Sequence, residues 1–519
     1  MTSVFDSTPP SFSLDELARV AAELFGVSGT AHPLVSERDQ NARIDTPTGS
    51  FVLKVANRAE DPQVLHLQQA ALKHISVVDP TLGVPHVVAP GTIEWNGHLV
   101  RLVTHLPGST AADVPAVRYG PFVQDRTLFA TDTVRFEGDI VAAVAAVDTA
   151  TAQRALDAIV VEYQPLPVVN DIEAALSPDA PLVHEGWADY GAGDFLVRNH
   201  NVASFSSISR GDIDAGFAEA HTVVKGRYVA DGSHAAPIEP RAVVAQWEGN
   251  KVTIWSSTQV PFDARAGVCE TLQLPASRVR IIVPHLGGGF GGKCGFHFEA
   301  HVAALARAAR RPVRLQFSRR EEFLAPDRRR EGMVIELETG VRADGTICAR
   351  RARLVLDNGA YTADAGFFSQ LAAMHALGPY VIPNVHAEAS LVYTNHQPSG
   401  SVRAPTAPQA CWAVETHTDE VAKAVGIDPV EFRLRNTVDI GLEGPSGQVY
   451  DEIGLRDCIR RATEMVGYGT PLPEGEAIGV AIGWWPSFAA PSGAYVKVDG
   501  DGSGQIITGA QECGTGSVM

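Results

Sequence analysis

A cluster of glycines in the middle of the chain carries the clearest chemical signal. The segment PHLGGGFGGK runs from Pro284 to Lys293, and Gly289, Phe290 and Gly291 form its centre. Because glycine has no Cβ, backbone N–H groups in such a segment approach a bulky anionic ligand closely. The cluster therefore predicts a loop that binds an anionic cofactor.

The same glycines allow a second interpretation. Gly287, Gly289 and Gly292 satisfy the GxGxxG spacing of a dinucleotide-binding turn. A predicted strand, Val279 to Val283, precedes them, and a predicted helix, Phe298 to Ala309, follows them, as such a turn requires. No acid follows at the end of the next strand and no repeated βαβ units appear, so a nucleotide site is the weaker alternative.

A histidine pair is a further candidate for chemistry. His297 and His301 are one helical turn apart with Glu299 between them. This spacing lacks the HExxH order of a zinc site, so we expect the two histidines to pack in a core.

Composition limits the classes of function. The chain has 519 residues with Lys+Arg 42 against Asp+Glu 60, a net charge of −18, which excludes a typical nucleic-acid binder. The first residues lack a signal-peptide pattern, and no apolar stretch is long enough to cross a membrane. The 6 cysteines are scattered without a CxxC pair, which predicts a cytoplasmic protein with no iron–sulfur cluster of its own.

The first 110 residues predict a small sheet with two helices. The predicted elements are a helix at Ser13–Leu24, strands at Ala42–Ile44 and Ser50–Val55, a helix at Pro62–Ile75 and a strand at His98–Gly108. This order, with Lys54 in FVLKV, resembles the N-terminal lobe of aminoglycoside-phosphotransferase-like kinases. The resemblance implies that Lys54 holds nucleotide phosphates, and ATP is a cofactor only if this lobe is functional.

Several residues depart from the kinase pattern. Gln68 and Gln69 stand where kinases place the glutamate partner of the lysine, and the turn Ser36–Asn41 has no glycine. The HxD sequence at His417–Asp419 is followed by Ala424 where the kinase catalytic loop has asparagine. We therefore expect no phosphotransfer by this chain alone.

From about Ala111 the sequence changes to short strands, glycine-rich turns and intermittent helices, an α+β texture. The segment Asp132–Tyr163 predicts strand, turn, strand, helix and strand, and resembles the α/β hammerhead domain of the xanthine dehydrogenase and aldehyde oxidase family of molybdenum hydroxylases. Five more segments follow in the family's order: HAAPIEPRAVVA from His234, WSSTQVPFDAR from Trp255, PHLGGGFGGK from Pro284, VRAPTAPQACWAVETHTDEVA from Val402 and TGAQECGTGSVM from Thr508.

The resemblance implies roles for particular residues. Gln259 would donate a hydrogen bond to an oxo ligand of molybdenum, and Gly289, Phe290 and Gly291 would lie against the metal and its pterin. Arg403 would lie beside the cofactor. Gly514 and Thr515 belong to an ExGxG-like turn, 511–516, that would contact the pterin. Molybdenum would have no direct protein ligand, because the pterin holds it.

The resemblance also implies a substrate pocket that differs from that of the purine-oxidising members. Cys294 replaces a substrate-binding glutamate, Leu371 stands where an arginine would be, and Pro405 replaces an aromatic residue. Because the polar edges of a purine would then lack partners, we expect a substrate other than xanthine. Ala404 replaces the cysteine of the carbon monoxide-oxidising members. An aldehyde and an N-heteroaromatic compound both remain open.

These observations predict an α+β chain: a kinase-like N-lobe fragment at 1–110, a truncated hammerhead domain at 111–180, a first molybdopterin-binding domain at 200–440 and the start of a second at 441–519. The function expected is that of a molybdenum hydroxylase large-subunit fragment that oxidises a small molecule and passes electrons to iron–sulfur and FAD subunits. We expect no catalytic residue in the chain, because the family's glutamate-bearing GxGE segment is absent, and hence little activity alone. The alternatives are a phosphotransferase represented by its N-lobe, and a non-catalytic fusion or gene-call artefact.

Overall fold

The computed structural model of the protein describes residues 10–34, 39–60, 62–78, 87–104, 117–324, 328–486 and 493–516. The junction near residue 110, the beginning of the turn at Ser36, the end of the strand predicted to Gly108 and Met519 lie outside the described residues. The chain divides into two compact units, Met1–Thr110 with Ala146–Ala155, and Ala111–Ala145 with Leu156–Met519. The domain boundaries predicted at 110, 180, 200 and 440 stay predictions.

The first unit has an antiparallel sheet in the order β1-β2-β3-β5-β4. Its elements are α1 (Leu14–Phe25), β1 (Thr30–Leu34), β2 (Gln40–Thr46), β3 (Gly49–Val55), α2 (Pro62–Val78), β4 (Ile93–Trp95) and β5 (His98–Thr104). Ser13 caps α1, as the sequence predicts: its hydroxyl accepts the N–H of Glu16, and the Glu16 carboxylate accepts the N–H of Ser13. This reciprocal pair satisfies N–H groups that a helix start leaves without partners.

Alternation along the strands of the first unit directs one apolar face towards α1. The core consists of Leu17, Val20, Ala21 and Phe25 from α1 together with Ala42, Ile44, Leu53, Val55, Val100 and Leu102 from the sheet. This sheet places Lys54 on the opposite face from Leu53 and Val55.

Helix α3 (Thr149–Asp157) lies mostly in the segment Ala146–Ala155 of the first unit, and the remaining elements belong to the second unit. The early elements of the second unit are β6 (Val197–Asn199), β7 (Val202–Arg210), α4 (Ile213–Ala218), β8 (Thr222–Ala230), β9 (Ser233–His234), β10 (Ala242–Glu248), β11 (Lys251–Ser256), α5 (Pro261–Thr271), β12 (Val279–Ile282), α6 (Glu299–Ala309) and β13 (Val313–Gln316). Its later elements are α7 (Arg319–Leu324), β14 (Arg329–Arg330), β15 (Met333–Val341), β16 (Ile347–Gly359), α8 (Phe368–His375), β17 (Asn384–Tyr393), α9 (Ala407–Ala424), α10 (Pro429–Asn436), α11 (Leu455–Met465), β18 (Ala494–Val498) and β19 (Gly504–Thr508).

Two mixed sheets organise the second unit. A six-stranded sheet has the order β6-β7-β17-β16-β15-β8, and a four-stranded sheet has the order β12-β11-β10-β13. The pairs β16–β17 and β11–β12 are parallel, whereas the other pairs in these sheets are antiparallel. Helices α8 and α9 cover the larger sheet and α6 covers the smaller one. The mixed sheets and interspersed helices confirm the predicted α+β fold class.

The strands predicted within Asp132–Tyr163 are wrong for the described residues. Only the helix forms, as α3, and no strand is present between 132 and 163. A strand is held by ladder hydrogen bonds to a neighbour, and no described strand pairs with these segments. Val147 and Val160 are consequently exposed although their sequence has strand character.

No helix in the described part of the chain is long and apolar enough to cross a membrane.

Candidate functional site

The glycine loop connects β12 to α6, but it does not have the geometry of a dinucleotide-binding turn. Helix α6 begins at Glu299, not at the predicted Phe298 and well after Gly292. The Glu299 carboxylate accepts the Ser256 hydroxyl at 2.7 Å and the His297 N–H at 2.9 Å. The glycines thus do not lead directly into the start of α6, and this geometry does not support the dinucleotide interpretation.

The backbone of the loop presents successive N–H groups. Gly288, Phe290 and Gly291 have φ angles of 93°, 55° and 89°. Among the described residues, no acceptor serves the N–H groups of Gly288, Gly289 and Phe290. Consecutive N–H groups in such a turn form a concavity that binds anions. The positive φ of Phe290 is uncommon for a bulky residue, and such conformations concentrate at functional sites.

Gln259 supports the loop with its oxygen. Its Oε1 accepts the N–H of Gly291 at 2.9 Å and that of Lys293 at 3.3 Å. A Cβ at Gly289 would overlap the same amide, so a larger residue there would displace the Gln259 side chain from its contacts with the loop. The Nε2 group of Gln259 has no acceptor in the described part of the chain, and it remains available as a hydrogen-bond donor. The predicted donation from this group to an oxo ligand of molybdenum stays a prediction.

A buried lysine holds one end of the loop. Lys293 is buried, and its Nζ donates to Glu239 Oε2 at 2.7 Å. The same carboxylate accepts the N–H of Gly287 at 2.8 Å. Burial lowers the pKa of Lys293, and the pairing with Glu239 opposes that effect. The Glu239 carboxylate therefore joins Gly287 to Lys293, the last residue of the loop.

A second buried ion pair lies behind the loop. Arg241 is paired with Glu322, and both side chains are buried. The guanidinium also donates to the carbonyl of Gly292. Sequence reasoning missed this pair, since Arg241 and Glu322 are 81 positions apart. The signal was a charged residue in an otherwise apolar strand start, PRAVVA.

The Arg403 segment packs directly against the glycine loop. The Arg403 N–H donates to the Phe290 carbonyl at 2.8 Å, and a Cβ at Gly291 would overlap the Ser401 carbonyl. The Arg403 side chain is exposed, and its guanidinium has no acid or carbonyl partner within the described residues. The structure thus brings Gln259, the glycine loop and Arg403 together, as the sequence predicts.

The turn containing Gly514 and Thr515 lies against the other end of the loop. The Leu286 N–H points to the Glu512 carbonyl at 3.4 Å. The Glu512 carboxylate accepts the N–H groups of Gly514 at 2.6 Å and Gly516 at 3.1 Å. Gly514 and Thr515 are both exposed. This carboxylate shapes the turn that the sequence assigned to cofactor binding.

A cavity of about 440 Å³ opens beside the loop, and Cys294 lines it. Aromatic residues form much of the wall, and charged residues also line it. The aromatic residues are Tyr119, Phe122, Phe296, Tyr361 and Phe367. The charged residues are Asp125, Arg126, Asp263, Glu270, Arg328 and Asp364, of which Arg328 and Asp364 are paired. The volume and the apolar lining suit a small planar ligand.

The three predicted pocket residues do not share this cavity. Burial raises the pKa of the Cys294 thiol to about 11, so the thiol is neutral at pH 7. Leu371 is buried in α8, and Pro405 lies in the turn before α9; neither lines the cavity as the structure describes it. Their assignment to the substrate pocket stays a prediction.

In the first unit, Lys54 lies in a polar row across three strands. Its register partners are Asn41 on β2 and Arg101 on β5. Arg101 is 9% exposed and donates to Gln68 at 2.7 Å, but its Nη1 has no partner among the described residues. Burial and then the charge of Arg101 lower the pKa of Lys54.

Two other sequence candidates prove to be core residues. His417 is buried in α9 beside Tyr228 and Thr339, so the HxD sequence is not a loop. His301 Nε2 lies 2.5 Å from the Leu128 carbonyl, which is the packing role expected from the sequence. The described residues contain no cluster of three metal-ligating side chains.

Comparison with known proteins identifies the family of these segments. Residues 196–437 match the model of the molybdopterin cofactor-binding domain, and residues 106–167 match the a/b hammerhead domain of aldehyde oxidase and xanthine dehydrogenase. The nicotinate dehydrogenase large molybdopterin subunit of Eubacterium barkeri is 35% identical over 349 residues, covering 67% of this chain and 79% of that protein. The xanthine dehydrogenase molybdenum-binding subunit of Escherichia coli is 31% identical over 409 residues, covering 76% of this chain and 52% of that protein.

Solved structures agree with this assignment. The aldehyde oxidoreductase of Desulfovibrio gigas has a TM-score of 0.68 at 26% identity, covering 78% of this chain and 44% of that chain. Quinoline 2-oxidoreductase of Pseudomonas putida 86 has a TM-score of 0.60 at 31% identity, covering 73% of this chain and 47% of that chain. The chain spans about half the length of most of these relatives. On the strength of the E. barkeri match, the chain belongs to the xanthine dehydrogenase and aldehyde oxidase family of molybdopterin-binding proteins.

Proposed function

We propose that the second unit binds a molybdenum–molybdopterin cofactor and takes part in the oxidative hydroxylation of an aldehyde or an N-heteroaromatic compound. One observation carries the proposal: three backbone N–H groups, at Gly288, Gly289 and Phe290, adjoin the Arg403 segment and have no acceptor among the described residues. Such an array fits an anionic group that approaches the backbone closely. When bound, the cofactor supplies the two-electron oxidation of an electrophilic carbon.

The protein residues have separate tasks in this proposal. The Nε2 group of Gln259 donates a hydrogen bond towards the cofactor, and its Oε1 fixes the loop. The Arg403 guanidinium provides a positive charge beside an anionic ligand. Gly514 and Thr515 would contact the pterin from the turn that Glu512 shapes. None of these residues is a catalytic base, and we propose that turnover depends on a glutamate outside this set.

The substrate would enter the cavity beside Cys294. Aromatic walls favour a flat ring, and the neutral Cys294 thiol adds an apolar, uncharged surface. The names of two relatives, nicotinate dehydrogenase and quinoline 2-oxidoreductase, support an N-heteroaromatic compound, and the aldehyde oxidoreductase supports an aldehyde. Binding of quinoline and of benzaldehyde, compared by calorimetry on the cofactor-loaded protein, distinguishes the two classes.

Electrons would leave through separate iron–sulfur and FAD subunits. All six cysteines lack a disulfide bond and are dispersed over the structure. This arrangement supports iron–sulfur centres on partner chains and a location in the reducing cytoplasm. Co-purification with candidate subunits tests the assembly.

The decisive experiment measures molybdenum and pterin in the protein co-expressed with partner subunits and cofactor-insertion machinery. Gly289→Ala should lose most of the cofactor, because the added Cβ overlaps Gln259. Gly479→Ala is the matched control, since a Cβ there meets nothing within 4 Å. Absence of molybdenum and pterin from the unaltered protein would overturn the proposal.

A second candidate function concerns the first unit alone. The row of Asn41, Lys54 and Arg101 presents two cations on one sheet face, and the buried Arg101 Nη1 lacks a partner in the described part of the chain. This arrangement favours binding of nucleotide phosphates, as the kinase-like order of elements implies. ATP should raise the melting temperature of the protein, and Lys54→Ala should abolish that rise whereas Lys251→Ala, an exposed lysine elsewhere, should not. No effect of ATP would exclude this candidate.

A further inference from the structure

A buried carboxyl group that the proposed function does not use lies beneath the Arg403 turn. Glu331, between β14 and β15, is 0% exposed. Its Oε1 accepts the Thr406 N–H at 2.8 Å and the Gln409 Nε2 at 3.1 Å. Its backbone carbonyl accepts the same Gln409 group at 3.0 Å. One acidic side chain thus holds the start of α9 and the turn that precedes it.

The turn needs this support because its backbone is strained. Ala404 and Thr406 have φ angles of 57° and 64°, a region that side chains with a Cβ rarely adopt. Each such residue costs on the order of 1–3 kcal/mol and persists only when its surroundings impose the conformation. The Glu331 oxygen is the acceptor for the N–H of one of these two residues, Thr406.

The charges around Glu331 come from few groups. From β14, Arg330 attracts the carboxylate, and its guanidinium also donates to the Arg403 carbonyl at 2.7 Å and to Gln409 at 3.1 Å. From α8, His375 Nδ1 lies 2.8 Å from the Thr406 hydroxyl, and burial lowers the pKa of His375 to about 4, so this ring is neutral at pH 7. From α9, Gln409 is uncharged.

Burial is the largest influence on Glu331 and raises its pKa to about 7, against hydrogen bonds from Thr406 and Gln409 and the charge of Arg330. Its Oε2 has no partner among the described residues, so the ionised form would have one buried oxygen without a hydrogen bond, and the charge of Arg330 offsets burial only in part. Burial therefore favours the neutral form over the ionised form.

We propose that Glu331 is a positioning residue for the Arg403 turn: when it is neutral the turn is held firmly against the glycine loop, and when it ionises the turn opens more readily. The consequence for cofactor binding rests on the proposed function, but the control of the turn does not. Glu331 touches neither the glycine loop nor the Arg403 side chain in the contacts described, and it acts through the backbone at Thr406.

The direction of the pH effect on the Arg403 turn follows from the linkage between closure of the turn and protonation of Glu331. Because the pKa in the folded turn lies above the ordinary value of 4.5, the closed turn holds its proton more tightly than the open turn. The closed turn is therefore most stable at pH values below 4.5. Its stability relative to the open turn falls as the pH rises from 4.5 to about 7, and it changes little above that pH. Between pH 6 and pH 8 the closure constant should fall about tenfold.

Hydrogen exchange measures this constant directly. The protection factor of a peptide covering residues 402–410, corrected for intrinsic exchange, should fall about tenfold from pH 6 to pH 8 in the unaltered protein. Glu331→Gln retains an oxygen acceptor and cannot ionise, so its protection should be equal at both pH values. Asp357→Asn is the control: its carboxylate has a pKa lowered to about 2, by His396 and Arg329 against burial, and is ionised throughout this range.

Two results would overturn the proposal: pH-independent protection in the unaltered protein, and a Glu331→Gln variant as sensitive to pH as its parent. If Glu331→Gln does not fold, Gln409→Leu replaces it, since loss of a donor to Glu331 should move the transition to higher pH. An unmoved transition in a folded Gln409→Leu protein would also overturn it.

A second readout links the turn to the cofactor. Pterin retained after dialysis at pH 8 should be lower than at pH 6 in the unaltered protein, and equal at both in Glu331→Gln. If no pterin is present at either pH while the exchange result holds, the proposed function fails and the control of the turn stands. Pterin loss of equal size in both proteins would remove Glu331 from cofactor retention.

Discussion

The glycine loop of the second unit and the Lys54 row of the first unit are both suited to anions, but they are built in opposite ways. The loop offers backbone N–H groups, while two ion pairs hold it from behind: the partly exposed Glu239 with Lys293, and the buried Arg241 with Glu322. The row offers two side-chain cations that repel each other, with no described ion pair on Lys54. The first site is rigid before any ligand arrives, whereas the second gains stability only when an anion separates or neutralises its charges.

The largest effect should come from breaking the ion pair behind the loop. Arg241→Met leaves the Glu322 carboxylate buried and unpaired and should lower the free energy of unfolding by about 3–5 kcal/mol. Lys225→Met removes a surface partner of Glu338 and should cost about 1 kcal/mol or less. Urea denaturation compares the two. Equal small losses would mean that the loop is not supported in the way described.

The next effect concerns the contact between the loop and the Arg403 segment. Gly291→Ala adds a Cβ that overlaps the Ser401 carbonyl at a φ of 89°, where a left-handed residue costs about 1–2 kcal/mol before any clash. We expect a matching loss of unfolding free energy and at least a tenfold loss of bound molybdenum, roughly. Metal analysis on the purified protein measures it, with Gly479→Ala as the neutral control. Full retention of molybdenum would contradict a rigid loop.

In the first unit we expect a substitution to raise the free energy of unfolding instead of lowering it. Lys54→Met removes a half-buried cation beside the buried Arg101 and should stabilise that unit by up to about 1 kcal/mol. Because burial lowers the pKa of Lys54, the unaltered protein should also gain stability as the pH rises through that lowered pKa towards the ordinary value of 10.5, and the variant should lose this dependence. Thermal melts between pH 7 and pH 10 provide the measurement. Destabilisation by Lys54→Met at every pH would contradict repulsion in the row.

The smallest effect tests the cavity wall beside the loop. At pH 7.5 the Cys294 thiol, with its pKa raised to about 11, should react with iodoacetamide at least about tenfold more slowly than the exposed Cys458. Peptide mass spectrometry after timed alkylation separates the two sites. Labelling of Cys294 as fast as Cys458 would show that the cavity is more polar than its lining indicates.

The parts of the fold that depend on local sequence were predictable. The Ser13 cap, helix α1 and strand β12 follow from patterns within a few residues. The strands expected in Asp132–Tyr163 are wrong because pairing depends on a neighbour that periodicity does not reveal. Helix α6 begins within one residue of its predicted start, but the contact of the Glu299 carboxylate with Ser256, 43 positions away, does not follow from local sequence.

In the candidate site, too, the residues within sequence motifs were predictable, and the residues that meet only through tertiary contacts were not. Gln259, the glycine loop and Arg403 were identified through motifs, and the structure places them together. Glu331, Arg241 and the aromatic cavity walls were missed, since they meet only through the fold. A clue for Glu331 was present: an acid between the basic run at Arg328–Arg330 and the apolar start of β15. Sequence alone gives no reason to expect that acid to be buried.

The close contact of Gly291 with the Ser401 carbonyl has a consequence for protein engineering. These two segments cannot be exchanged for those of a relative one at a time, because the spacing between them leaves no room for a side chain. A graft intended to change substrate preference would have to transfer the glycine loop and the Arg403 segment as one piece, together with the charged partners beneath them.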